Sequence, residues 1–182
     1  MTCRVIVLHS AFGLTDGVQE FAGLLRAEGC TVQVPDFYDG LTFETVTQGV
    51  AHRDEVGYRE LYARVADLPV DGAALVGFSL GASFAQRLCR PGVRLVSLVA
   101  ALDPLPPDKL WCGVDVQLHQ LAEDPWVDDE DVPAFRAAVA AAGAMFDHFV
   151  TPGAGHLFTE PSQPEYDRDL TELTVDRIVA AL

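Results

Sequence analysis

The sequence has little positive charge and no long hydrophobic run. Twelve lysines and arginines stand against 27 aspartates and glutamates, which gives the 182-residue chain a formal net charge of −15. Such a chain is not expected to bind nucleic acid or an anionic membrane, because both carry the same sign of charge. No apolar stretch approaches the length of a membrane span, and the N-terminus leads into a strand-like segment without a signal-peptide pattern. We therefore expect a cytoplasmic protein.

Cysteine is scarce and widely spaced. Cys3, Cys30, Cys89 and Cys112 form no C-x-x-C pair, so we expect buried free thiols and neither disulfides nor a zinc site. Hydrophobic residues make up 49% of the chain, enough for a packed core. The length suits one domain over residues 1–182.

Strand-like and helix-like segments alternate along the chain. Residues 3–8 form a nearly continuous apolar run, typical of a strand buried on both faces. Helical spacing follows at Val18, Phe21 and Leu25. Further strands are predicted at 31–34, 75–78, 95–102, 114–121 (less buried, because apolar and polar residues alternate there) and 145–150. The pattern predicts an α/β fold with a mostly parallel sheet of about six strands and helices on both faces.

Residues 77–81 read Gly-Phe-Ser-Leu-Gly, between a predicted strand and a helix-like stretch. This G-x-S-x-G pattern is that of a nucleophile elbow, in which a sharp turn exposes the serine hydroxyl. The flanking glycines let the backbones pass closely. Ser79 is therefore the candidate nucleophile.

A serine nucleophile needs a base and an orienting carboxylate, and α/β-hydrolases place them in the order Ser, Asp or Glu, His. His156 follows the last predicted strand, in a loop with two glycines, and is the candidate base. The other histidines fit less well: His119 and His148 lie within strands, His52 lies in a polar connection, and His9 more plausibly shapes the loop after the first strand.

Asp124 is the candidate carboxylate, because it is a short side chain beside Pro125 in a turn after the predicted strand 114–121. Glu123 is the neighbouring alternative, and an ordinary turn aspartate is the alternative role for Asp124. Asp128, Asp129 and Asp131 are interpreted as an acidic cluster at a helix N-terminus, where the helix dipole favours negative charge.

Two backbone amides are expected to form an oxyanion hole. One is the N–H of Leu80, directly after the nucleophile, and the other is the N–H of Ala11, in the loop 9–13 after the first strand. Phe12, Trp126 and Phe158 flank the catalytic loops. They are candidate walls of the substrate pocket, with ordinary core packing as the alternative.

The chain resembles the dienelactone hydrolase family of α/β-hydrolases. Four patches in the family's order carry the resemblance: residues 11–13, residues 34–38 (Val-Pro-Asp-Phe-Tyr), residues 77–81, and Asp124 together with residues 155–158 (Gly-His-Leu-Phe). The resemblance implies a small hydrolase core without a lid domain, a triad of Ser79, Asp124 and His156, and neither cofactor nor metal. Asp36 and Tyr38 are then expected to shape a loop beside the site.

Three departures from the family pattern affect the expected substrate. The family's cysteine nucleophile is replaced by Ser79, and its glutamate in the first loop by Ser10. Thr159 and Glu160 stand where the family carries an arginine that binds a substrate carboxylate. We therefore expect hydrolysis of small neutral esters or lactones and poor turnover of carboxylate-bearing lactones, by a monomer or small homo-oligomer. Thioester or peptide hydrolysis, or a catalytically silent binding protein, remain as alternatives.

Overall fold

The structure is a computed structural model that describes residues 3–106, 109–128 and 130–182. Within those residues six strands alternate with six helices. In chain order they are β1 (Arg4–Leu8), α1 (Asp16–Ala27), β2 (Thr31–Gln33), α2 (Val46–Val56), α3 (Tyr58–Ala63), β3 (Ala74–Phe78), α4 (Leu80–Leu88), β4 (Leu95–Val99), β5 (Val116–Glu123), α5 (Asp131–Ala141), β6 (Phe146–Ala154) and α6 (Arg168–Ala180).

The six strands form one sheet in the order β2-β1-β3-β4-β5-β6, and each neighbouring pair is parallel. In a parallel sheet the carboxyl ends of all strands meet at one edge, where α/β proteins bind their ligands. The chain first moves outward from β1 to β2 and then returns to β3 on the other side of β1. The loops after β1 and β3 therefore leave from adjacent strands.

Alternate residues of each central strand face two separate hydrophobic layers. In β1, Val5 and Val7 pack into a cluster with residues of α1 and α6, whereas Ile6 and Leu8 pack into a cluster with residues of α3, α4 and α5. Because both faces are covered by helices, the strand reads as a continuous apolar run. The predicted six-stranded sheet with helices on both faces is confirmed.

Three elements differ from the sequence-based expectation. Helix α2 was not predicted, because only Gly49 among its residues is buried; His52 lies in this helix and not in a connection. Helix α3 ends at Ala63, although Val65 and Leu68 continue the helical spacing of the apolar residues Tyr58, Leu61 and Tyr62. Strand β5 is not less buried, because its first six residues, including Gln117 and His119, are all covered.

The four cysteines are paired as two disulfides, Cys3–Cys30 and Cys89–Cys112, so the expectation of free thiols is wrong. Cys3 and Cys30 each precede a strand of the parallel pair β1 and β2, and their Cα atoms lie 4.5 Å apart although 27 residues separate them. Spacing along the chain gives no sign of such a contact.

None of the described helices combines the length and apolar character that crossing a membrane requires.

Candidate active site

Ser79 occupies a sharp turn between β3 and α4. Its backbone angles are φ 50° and ψ −110°, a combination that residues with a side chain rarely adopt and that costs free energy. Its amide donates a hydrogen bond of 2.9 Å to the carbonyl of Val99 on the neighbouring strand. The turn is therefore anchored to the sheet, at the edge where ligands bind.

The two glycines of the motif are required by close backbone contacts. A Cβ atom on Gly77 would overlap the carbonyl oxygen of Gly81, and a Cβ atom on Gly81 would overlap the carbonyl oxygens of Leu8 and His9. Because neither contact involves a flexible side chain, any larger residue would force β1, β3 and α4 apart. These contacts give the steric reason for the spacing of the motif.

Ser79, His156 and Asp124 form one chain of hydrogen bonds. His156 Nε2 lies 2.8 Å from Ser79 Oγ, and His156 Nδ1 lies 2.9 Å and 3.1 Å from the two carboxylate oxygens of Asp124. A carboxylate accepts hydrogen bonds, so Nδ1 carries the proton and Nε2 is free to accept from the serine hydroxyl. The fold thus brings together three residues separated by 32 and 77 positions.

Asp124 follows β5 directly and is held in its turn. Its Oδ1 also accepts a hydrogen bond of 2.9 Å from the amide of Trp126. Glu123, the alternative carboxylate, is the exposed last residue of β5. In the acidic cluster, Asp131 begins α5 and Asp128 accepts from the Glu130 amide, whereas Asp129 lies outside the described residues.

Glu165 anchors the loop that carries His156, a role that the sequence did not reveal. Its Oε1 accepts hydrogen bonds of 3.0 Å and 3.2 Å from the amides of His156 and Leu157. Burial alone would raise the pKa of Glu165, but the backbone hydrogen bonds outweigh burial and lower it. Gly155 approaches the same side chain so closely that a Cβ atom would crowd it. No motif surrounds Glu165, so only the folded loop identifies it.

A pocket of about 290 Å³ opens beside the nucleophile, and Ala11, Ser79 and Leu80 all line it. The amide of Leu80 belongs to the first turn of α4, where helix amides have no partner within the helix. Ala11 lies in a turn closed by a 3.1 Å hydrogen bond from the Gly13 amide to the Ser10 carbonyl. Both expected oxyanion donors therefore belong to residues that border the pocket.

Only one of the three candidate aromatic walls lies in this pocket. Trp126 lines it, is 53% exposed, and has its ring centre 5.8 Å from that of His156. Phe12 and Phe158 are each 1% exposed and pack in the cluster beneath α1 and α6. Both side chains belong to turns that pack them into this cluster, so the pocket-wall expectation is wrong for them.

The opposite wall of the pocket comes from helices α2, α3 and α4 and the loop after β4, and it mixes polar side chains with the apolar residues Val46, Val50 and Ala101. Arg87 Nε donates a hydrogen bond of 2.8 Å to the hydroxyl of Tyr58, and Ser83 Oγ donates one of 2.7 Å to Asp103. Burial raises the pKa of Tyr58. Arg53 lies on the same wall. These residues have no sequence signature, and we did not identify them from the sequence.

Glu160 does not face the pocket. It is 6% exposed, accepts a hydrogen bond of 2.6 Å from the Thr15 hydroxyl, and lies against Gly17 at the start of α1. The expected repulsion of substrate carboxylates by Glu160 therefore has no structural basis. The charged side chains that do border the pocket are two arginines and one aspartate.

Two other histidines, His9 and His119, are buried and lie outside the hydrogen-bonded triad. Burial lowers the pKa of His9 to about 4 and that of His119 to about 3, so both are neutral at neutral pH. Among the residues that the structure describes, no group of three His, Cys, Asp or Glu side chains could hold a metal ion.

The sequence profile of the dienelactone hydrolase family matches residues 2–182. The chain belongs to this family. Membership makes it a hydrolase of the α/β-hydrolase fold, as the sequence predicted. No curated protein sequence matches the chain.

Solved structures of the same fold are similar over nearly the whole chain. The protein named m3DLH is 23% identical with a TM-score of 0.79, covering 100% of this chain and 85% of its own. A dienelactone hydrolase-like promiscuous phosphotriesterase from metagenomic libraries is 21% identical with a TM-score of 0.78, covering 98% and 84%. A phospholipase/carboxylesterase from Dyadobacter fermentans is 17% identical with a TM-score of 0.63, covering 98% and 90%. At these identities the likeness shows the fold.

Proposed function

We propose that this protein is a serine hydrolase that cleaves small ester or lactone bonds through an acyl-enzyme. The supporting observation is the continuous hydrogen-bond chain from Ser79 through His156 to Asp124, with distances of 2.8 Å and 2.9 Å. A serine hydroxyl alone is a poor nucleophile, and this arrangement supplies both the base and the group that orients it.

The first half of the reaction forms the acyl-enzyme. Ser79 Oγ attacks the carbonyl carbon of the substrate while His156 Nε2 takes the hydroxyl proton. Asp124 holds the proton on Nδ1 and stabilises the imidazolium that develops. The amides of Leu80 and Ala11 donate to the oxyanion of the tetrahedral intermediate, and each such donor contributes about 10²- to 10³-fold to kcat in related chemistry. His156 then returns the proton to the leaving alcohol.

The second half releases the acid. Water enters, His156 removes one of its protons, and the hydroxyl oxygen attacks the acyl carbon bonded to Ser79 Oγ. Collapse of the second tetrahedral intermediate breaks the bond to the serine, which regains its proton from His156. No step of this cycle uses a cofactor.

The pocket suits a small acyl group. Its volume of about 290 Å³ is at the lower end for small-molecule sites, and its wall combines Trp126 with polar side chains. Thioesters and amides pass through the same intermediates, so the nature of the leaving group has to be measured.

The decisive experiment combines active-site labelling with an ester assay. Wild type should react with a fluorophosphonate probe and hydrolyse p-nitrophenyl acetate. Ser79→Ala should abolish labelling and lower kcat by about 10⁵- to 10⁶-fold, the effect of removing a triad serine. Ser162→Ala is the matched control: Ser162 is exposed and bonded to Glu160, away from the pocket. Equal hydrolysis by wild type and Ser79→Ala would refute the nucleophile assignment.

Two further measurements separate the alternatives. A matched acetyl ester, thioester and anilide series reports the preferred leaving group, and we expect the ester to react fastest. A wild-type protein that neither labels nor turns over any of the three would instead be a silent binding protein.

A further inference from the structure

His9 directly follows β1, and both nitrogens of its fully buried ring have partners. Nδ1 lies 2.8 Å from the carbonyl oxygen of Ser10, and Nε2 lies 3.2 Å from the amide nitrogen of Phe37. The ring stacks on that of Phe37 at 3.5 Å and meets the edge of Tyr38 at 5.1 Å. The ring is therefore fixed between two aromatic side chains and cannot turn without repacking them.

These partners determine where the ring proton lies. The Phe37 amide can only donate, so Nε2 must be unprotonated, and the Ser10 carbonyl can only accept, so Nδ1 must carry the proton. A positively charged ring would lose the hydrogen bond from Phe37. Burial keeps the ring neutral by lowering the pKa of His9 to about 4, although Asp36 lies 3.5 Å from Nε2.

The hydrogen bond to Ser10 fixes the direction of the next amide. No described peptide bond is cis, and in a trans peptide the carbonyl and the following N–H point in opposite directions. The Ser10 carbonyl points toward His9 Nδ1 and also accepts from the Gly13 amide. The Ala11 N–H must therefore point away from the buried ring, and Ala11 borders the pocket that contains Ser79.

The rest of the turn is held by close packing. Gly49 of α2 lies so close to the Ala11 carbonyl that a Cβ atom would overlap it, and a Cβ atom on Gly81 of α4 would lie 2.6 Å from the His9 carbonyl oxygen. These contacts restrict translation of the turn, whereas the two donors to the Ser10 carbonyl, His9 Nδ1 and the Gly13 amide, set the rotation of the peptide between Ser10 and Ala11.

We propose that His9 is a positioning residue for the oxyanion hole: its Nδ1–H holds the Ser10 carbonyl and thereby aims the Ala11 amide at the reacting carbonyl oxygen. This inference rests on the proposed ester hydrolysis. It predicts that His9 acts on the rate of the chemical step and not on the binding of substrate.

Two substitutions of similar polarity separate this role from simple packing. In His9→Asn the side-chain amide can occupy the place of Nδ1 and donate to Ser10. In His9→Gln the amide reaches the place of Nε2, where it can accept from Phe37 but cannot hold the Ser10 carbonyl. Loss of the ring's stacking is common to both variants.

We expect His9→Gln to lower kcat about 10- to 100-fold, a part of the 10²- to 10³-fold effect of one oxyanion donor, with KM nearly unchanged. His9→Asn should retain most of the wild-type kcat. The affinity for a trifluoromethyl ketone, whose adduct carries the oxyanion, should fall in parallel with kcat in His9→Gln. Equal losses in both variants, or a loss confined to KM, would overturn the proposal.

Wild type itself provides a test that needs no variant. Nitrogen-15 NMR at pH 7 should show His9 protonated at Nδ1, and protonation at Nε2 would overturn the proposal even if His9→Gln fails to fold. The proposed function is judged separately by wild-type turnover and Ser79→Ala. An active wild type whose rate is insensitive to the choice of Asn or Gln refutes only the role of His9.

Discussion

The pocket has two sides that differ in how tightly their groups are constrained. On the reacting side, Ser79, His156 and Asp124 come from the ends of three strands and contact one another at 2.8–3.1 Å. On the facing side, Tyr58 and Arg87 come from helix surfaces and bond to each other. The reacting side also includes the strained backbone of Ser79 and two glycines, Gly77 and Gly81, without room for a side chain.

This difference implies a division of roles. In the proposed mechanism the reacting side sets the chemistry, because small displacements there break hydrogen bonds along which a proton passes. The facing side sets shape and charge around the substrate and can change without disturbing the sheet. Substitutions on the reacting side should therefore alter kcat or stability strongly, and those on the facing side should alter the choice of substrate modestly.

The largest effect is expected for Asp124→Asn. The amide can no longer hold the proton on His156 Nδ1, and the loss of a triad carboxylate lowers kcat by about 10⁴-fold in related enzymes. Glu123→Gln is the matched control, because Glu123 is the adjacent exposed acid. Ester hydrolysis under saturating substrate measures both. A larger loss for Glu123→Gln would reverse the assignment of the carboxylate.

Gly81→Ala should destabilise the fold by steric overlap with the carbonyls of Leu8 and His9. Overpacking of this kind costs about 1–3 kcal/mol. Gly23→Ala is the same substitution in α1, where a Cβ atom meets nothing within 4 Å; it should raise the free energy of unfolding by about 0.5–1 kcal/mol. Urea denaturation measures the free energy of unfolding of both variants. Similar values would contradict the interpretation that the elbow has no room for a Cβ atom at Gly81.

The smallest effect concerns charge selection on the facing side. Arg87→Gln removes a positive charge from the pocket wall and should lower kcat/KM for p-nitrophenyl hemisuccinate relative to p-nitrophenyl butyrate by about fivefold, the scale of an exposed charge pair. Glu160→Gln should leave this ratio unchanged, because Glu160 bonds to Thr15 outside the pocket. A change in the ratio for Glu160→Gln alone would instead support the expectation from the sequence that Glu160 repels substrate carboxylates.

The reacting side could be predicted from the sequence because each of its parts requires particular residue types at nearby positions in the chain. The elbow needs small residues two positions before and after Ser79. A strand covered by helices on both faces must be apolar throughout, as residues 5–8 are. Asp124 and His156 follow from the chain order of the family and from their places after successive strands. The structure brings all three side chains within hydrogen-bond distance.

The residues of the facing side, the anchoring role of Glu165, helix α2 and the disulfides could not be predicted, because they depend on contacts between distant segments. Arg87 and Tyr58 look like ordinary helix residues, and Glu165 acts through backbone amides nine and eight residues away. Helix α2 has almost no apolar face to reveal it. The disulfide between Cys3 and Cys30 depends on the pairing of β1 with β2, which local patterns do not specify.

The order of the strands gives the two proton-handling groups unequal protection. Ser79 follows β3, which has a neighbour on each side, whereas His156 follows β6, the last strand of the sheet, paired only with β5. If the sheet frays at this edge strand, the His156 imidazole is displaced while the Ser79 hydroxyl keeps its position. On gradual warming the protein would then lose its hydrolytic activity while most of the sheet is still folded.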